Sequence, residues 1–156
     1  MSYLVPFSLA LPPHQEARLR GILVLDEPGI PNDTYKLFEF YCPNPECDCR
    51  EALLKIFAVQ ENDTVANIRV FFPTPLFTPP ILDPTSPNAP FAKALLRLIS
   101  ENIKNDPVYF QQLQDHYHLV KTVAATPSHP AYSALTHWGQ TGGPKQPPHR
   151  HKSKYV

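Results

Sequence analysis

The chain has 156 residues, of which 42% are hydrophobic and 20 are proline, so it is long and apolar enough for one domain with a core and is not disordered throughout. Its formal net charge is zero, but four of the 14 basic residues lie in the last dozen positions, whereas every acidic residue lies between Glu16 and Asp115. The remaining body holds 10 basic and 14 acidic residues, which excludes a basic body that follows phosphate groups.

Four apolar runs in the first half of the chain predict β-strands. Residues 35–41 and 65–72 alternate between their two sides, which is typical of strands. Residues 50–60 are continuously apolar and rich in helix-forming residues, so a helix stays open there, but the β-rich end IFAV and the neighbouring runs favour a strand. Short connections between the runs predict an antiparallel meander of three to four strands, drawn from residues 20–26, 35–41, 50–60 and 65–72.

The segment 73–90 contains seven prolines and therefore fits neither a central strand nor a helix interior. One interpretation is an extended connection that packs on the domain through Leu76, Phe77 and Ile81. The other is a proline-rich recognition segment. The apolar side chains favour the packed connection.

Two helices are predicted to follow this segment. Apolar residues recur at helical spacing over 91–105, and Asp106–Pro107 supplies an N-cap and a first-position proline for a helix over 108–124. Two helices after a meander predict an α+β fold with both helices on one face of the sheet. Residues 1–138 are interpreted as a single domain, and residues 139–156 as a mobile basic tail.

The three cysteines of the chain lie together in the stretch YCPNPECDCREALLKIF, residues 41–57. Cys42, Cys47 and Cys49 have the spacing C-x4-C-x-C in a connection between two predicted strands, where all three sulfurs could converge on one tetrahedral Zn²⁺ ion. Two prolines between them lower the cost of ordering this loop. A disulfide with one spare thiol, or three cysteines without a special role, are the alternatives. The pattern favours a zinc-knuckle hairpin.

Three thiolates leave one position open on a tetrahedral ion, and the chain has seven histidines. At about 100° per residue, His116 falls within the apolar arc of the helix over 108–124, and His118 falls on its opposite side. An inward histidine is commonly a core residue, but three cysteines in need of a partner favour His116 as the fourth ligand. Asp48, another histidine or a water molecule are the alternatives.

These motifs resemble a set of short uncharacterised bacterial proteins. The shared features are YCPNPECDCREALL, the sequence DP-x-Y-x-x-x-L that begins at Asp106, and the pair His116–Tyr117. Some members of the set resemble SEC-C motif proteins in carrying the cysteine motif at the C-terminus, where this chain has none. The resemblance covers residues 35–123 and implies a cysteine hairpin followed by a helix, but no activity.

Motifs of common reactions are absent from the sequence. There is no glycine-rich phosphate loop, no H-E-x-x-H and no G-x-S-x-G, so we do not expect an enzyme. The sequence favours a zinc-stabilised binding or adaptor module with a protein partner.

Two alternatives stay open for the function. The first is a nucleic-acid-associated protein that uses the basic tail, which includes His149, Arg150, His151, Lys152 and Lys154. The second is a zinc-dependent hydrolase. No apolar run reaches the length of a membrane span, and an odd number of clustered cysteines favours a reducing, cytoplasmic compartment.

Overall fold

The structure is a computed structural model, and it describes residues 4–12, 15, 18–73 and 78–141. In these residues six strands form one antiparallel sheet. The sheet runs in the order β1-β3-β4-β5-β6, and β2 pairs with β3 on the same side as β1. The strands are β1 Val5–Pro6, β2 Arg20–Val24, β3 Asp33–Tyr41, β4 Glu51–Ala58, β5 Asp63–Phe71 and β6 Ile81–Leu82.

Three helices and one short 3-10 turn, Phe7–Ala10, complete the described part of the chain. Helix α1 packs on β5 and β6, α2 packs on α1, β4 and the 3-10 turn, and α3 packs on α2, β1 and the 3-10 turn. The predicted α+β fold, an antiparallel meander with C-terminal helices, is confirmed. None of the helices described is long and apolar enough to cross a membrane. The helices are α1 Ala92–Lys104, α2 Pro107–Ala124 and α3 Tyr132–Thr141.

Strand β4 shows why the run 50–60 is a strand and not a helix. Its side chains alternate between buried and half-buried along the whole strand, which is the two-residue period of a sheet. Ala52, Leu54, Ile56 and Ala58 are almost fully enclosed. The other side chains of β4 face the open side of the sheet. Some of them are also apolar, so the alternation is not visible in the sequence.

Some elements were not predicted from the sequence. Strands β1 and β6 have two residues each, which is too short for any periodicity. Helix α3 was missed because few of its residues are buried, chiefly Leu135. It continues to Thr141, three residues past the predicted domain boundary.

Two other predictions fall largely outside the residues that the structure describes. Leu76 and Phe77 of the proline-rich segment, and most of the predicted tail, lie outside the described residues. Ile81 in the same segment pairs with Arg69 of β5 and is 42% exposed.

A buried carboxylate at the start of β3 holds the turn between β4 and β5. Asp33 is 5% exposed. Its Oδ1 accepts hydrogen bonds from the backbone N–H groups of Thr34 at 2.7 Å and Gln60 at 2.8 Å, and its Oδ2 accepts one from Glu61 N at 3.1 Å. The Asp33 side chain thus supplies acceptors for backbone donors at the start of β3 and in the turn.

We predict that Asp33→Ala destabilises the domain by about 2 kcal/mol, because it leaves backbone donors without their charged acceptor. Urea unfolding followed by circular dichroism measures the change. Glu27→Ala is the matched control, since the Glu27 side chain is exposed. Equal stability of the two variants would show that Asp33 does not hold the turn.

Candidate metal centre

The loop between β3 and β4 brings the three cysteines together. Cys42 follows the last residue of β3, and Cys49 comes two residues before β4 begins. The two strands pair directly next to the loop, with Phe40 opposite Leu53. The three sulfur atoms therefore lie within 4.8 Å of one another.

Hydrogen bonds within the loop give it a defined shape. The Asn44 side chain accepts a bond from Glu46 N at 3.0 Å, and the Asn44 carbonyl accepts one from Cys47 N at 3.2 Å. Arg50 has a φ of 36°, in the left-handed region, and its N–H donates to the Tyr117 hydroxyl at 3.3 Å. The loop is thus fixed both internally and to helix α2.

Helix α2 also places a positive charge beside the sulfurs. Lys121 Nζ lies 3.6 Å from Cys49 Sγ and donates to the Asn44 carbonyl at 2.5 Å. The pKa of Cys47 is lowered, mainly by its hydrogen bond with Cys49 and also by Lys121. Burial, followed by the bond with Cys47, raises the pKa of Cys49 to about 11. Cys47 therefore loses its proton at a lower pH than Cys49 does.

The arrangement fits the requirements of a metal site. All three cysteines are free thiols, so the structure does not contain the alternative disulfide. Thiolates bind Zn²⁺ at about 2.3 Å, which places two sulfurs on one tetrahedral ion roughly 3.8 Å apart. Sulfurs that already lie within 4.8 Å of one another can reach this separation with small side-chain rotations.

The structure does not bring His116 to the cysteines. Its Nδ1 lies 2.6 Å from Glu39 Oε1, and its ring stacks on Phe7 with centroids 3.7 Å apart and planes at 12°. The helical period correctly placed His116 on the inward side of α2, where its side chain is 19% exposed. At that position the polar partner of His116 is a core carboxylate and not a sulfur. The role of His116 as fourth ligand therefore stays a prediction.

A different part of α2 faces the cysteine loop. Tyr117 and Lys121 contact it directly, as described above, and the exposed His118 lines a cavity of about 420 Å³ together with Cys47 and Asp48. A second cavity of about 290 Å³ is lined by all three cysteines. The sulfurs are therefore accessible from two sides, and the histidine next to one of these openings is His118.

Sequence analysis missed three residues of this region. Tyr117 was named only in the pair His116–Tyr117, and Lys121 was not singled out. Glu39 had a usable signal, because it shares the inward register of β3 with Leu37 and Tyr41. A charged residue at a core position of an alternating strand marks a site worth inspecting.

Comparison with known proteins yields no relative: no protein-family model, no curated protein and no solved structure matches this chain. The function must therefore be argued from the fold and the site.

In metal-free, reduced protein we predict that iodoacetamide modifies Cys47 first. Its pKa is lowered and its side chain is half-buried, so it has the largest reactive thiolate fraction near neutral pH. Cys49 should react faster as the pH rises towards 11, because a raised pKa delays formation of its thiolate. Mass spectrometry of proteolytic peptides gives the order, and modification of the buried Cys42 before Cys47 would contradict the prediction.

Proposed function

We propose that this protein is a small binding or adaptor module whose cysteine loop is held by one Zn²⁺ ion. The observation that carries the proposal is the convergence of Cys42, Cys47 and Cys49 to within 4.8 Å of one another. Metal binding there would cross-link the loop between β3 and β4, which is otherwise held by a few hydrogen bonds. The ion would thus support the fold at the edge where α2 meets the sheet.

The donor set favours zinc over other metals. Thiolates select Zn²⁺, Cu⁺ or iron–sulfur clusters, and iron–sulfur clusters are commonly held by four cysteines, whereas this chain has three. Three thiolates and one Zn²⁺ ion carry a net charge of −1. The ammonium group of Lys121 beside Cys49 offsets that charge.

His118 lines the same cavity as Cys47. We therefore propose His118 as the fourth ligand in place of His116, which is engaged by Glu39. Structural zinc sites are commonly closed by four protein ligands, with Cys₃His among the usual sets. The His118 imidazole is exposed and contacts only the edge of the neighbouring Tyr117 ring among the ring contacts of the described residues, with centroids 5.3 Å apart.

Exposed apolar side chains support a binding role. Leu23 and Leu25 at the edge strand β2 are 64% and 63% exposed, and Phe38 on the open face of the sheet is 36% exposed. Large apolar groups at a sheet edge are typical of contact surfaces for other proteins.

We likewise propose, on the cysteine motif alone, that the chain is related to the short bacterial proteins that share this hairpin.

The two alternative functions have less support. A hydrolytic zinc needs an open position and a strong Lewis acid, and three thiolates reduce the Lewis acidity of the ion. The nucleic-acid alternative depends on a tail that lies outside the described residues.

We predict that protein purified without chelator contains about one Zn²⁺ ion per chain. Chelation should lower the melting temperature by about 10 °C, which corresponds to a loss of about 3 kcal/mol in a domain of this size. Elemental analysis and differential scanning calorimetry measure the two quantities. Cys47→Ser should lose the metal and melt like the chelated protein. An unchanged melting temperature after complete metal removal would reject a structural zinc site.

The two histidines of α2 test the identity of the fourth ligand. We predict that His118→Ala weakens zinc retention and changes the absorption spectrum of the Co²⁺-substituted protein. His116→Ala should keep the metal and its spectrum, although it lowers stability by removing the partner of a buried carboxylate. Competition with a chromogenic chelator gives the affinities. Loss of metal in His116→Ala alone would instead support the ligand predicted from the helical period.

A further inference from the structure

A cavity of about 520 Å³ lies away from the cysteine loop, and none of the three cysteines lines it. Its lining comes from the 3-10 turn and the segment that follows it, from β3, and from the beginning of α3. Its walls are mostly apolar, with Phe7, Leu9, Leu11 and Phe38 among them. Cavities of roughly 300–1,000 Å³ with apolar walls and a few polar groups are typical of small-molecule sites.

Two charged residues line this cavity, the exposed Arg18 and the buried Glu39. The Glu39 side chain is 4% exposed, and it lies among the inward-facing residues of β3. Its Oε1 accepts a hydrogen bond from the Tyr41 hydroxyl at 2.6 Å and lies 2.6 Å from His116 Nδ1. Both contacts use the same oxygen atom.

The second oxygen, Oε2, has no hydrogen bond within the described part of the chain. In the same part, the Tyr109 hydroxyl is the sole buried side-chain polar atom without a partner. Oε2 therefore keeps some exposure, and Glu39 is among the residues that line the cavity. A carboxylate oxygen at the base of an apolar cavity calls for a donor, because a buried charge without a full set of hydrogen bonds is costly.

Two tyrosine hydroxyls that interact with Glu39 keep their protons. The pKa of Tyr41 is raised, first by burial and then by the charge of Glu39. The pKa of Tyr109 is raised by the same two causes in the same order. Tyr41 and His116 both contact Oε1 and so hold the carboxylate in one orientation.

We propose that this cavity binds a small apolar molecule that carries one hydroxyl or amine group, which donates a hydrogen bond to Glu39 Oε2. The apolar part of the ligand packs against Phe7 and Phe38, and its polar end points inwards. This site is separate from the cysteine loop and does not depend on the proposed zinc ion. The class of ligand follows from the mostly apolar walls and from the accepting oxygen of Glu39, while Gln15 and Arg18 supply further polar groups to the lining.

Titration calorimetry of the full chain with two matched probes tests the proposal. Phenylbutanol carries the donor, and phenylbutyl methyl ether has nearly the same shape but lacks it. We expect saturable binding of the alcohol, about tenfold tighter than binding of the ether, because a hydrogen bond to a buried carboxylate discriminates by at least this factor. Equal affinity for the two probes, or no binding of the alcohol, would overturn the proposal.

Two variants locate the site. Glu39→Gln keeps an acceptor for Tyr41 and His116 but presents an amide N–H₂ donor to the cavity, so the preference for the alcohol should disappear. Ala134→Phe fills the cavity from the exposed side of α3 and should weaken binding of the alcohol more than tenfold. Ser133→Phe is the matched control on the neighbouring exposed position, which does not line the cavity, and should bind like the unaltered protein. Undiminished binding in Ala134→Phe would place the probe elsewhere and overturn the assignment.

Discussion

The central position of β3 in the sheet is the constraint on which the rest of the structure depends. β3 pairs with β4 on one side and with both β1 and β2 on the other. Because of its register, Asp33 lies next to the β4–β5 turn and Glu39 points into the core. Cys42 then lies at the start of the cysteine loop. A slip by one residue would exchange the inward and outward sets of side chains. It would bury Phe38 and expose Glu39.

Alternation of side chains made the long strands predictable. Strands β3, β4 and β5 begin and end within two residues of the predicted runs, because each has enough residues for a period of two to be visible. Helix α2 was equally predictable from the sequence, because Asp106 is a typical N-cap residue. In the structure Tyr109 N donates to the Asp106 carboxylate at 3.0 Å. β1, β6 and α3 depend on tertiary contacts and not on their own pattern.

The candidate site was predictable only in its local part. Cys42, Cys47 and Cys49 lie within eight residues of one another, so the loop alone brings them close. His116 is different, because its partner Glu39 is 77 positions away in the sequence. A helical period gives the direction in which a side chain points, but it does not identify the residue that the side chain contacts. That information comes from the register of a distant strand.

Helix α2 contacts both sites through adjacent residues. His116 holds the carboxylate of Glu39, while the next residue, Tyr117, accepts a hydrogen bond from the cysteine loop and Lys121 lies one turn further along. An α-helix is rigid over one turn, so a displacement that improves one set of contacts is transmitted to the other. If both proposed ligands bind, any coupling between them through α2 is reciprocal: the factor by which a metal would tighten binding in the cavity equals the factor by which a cavity ligand would tighten binding of the metal.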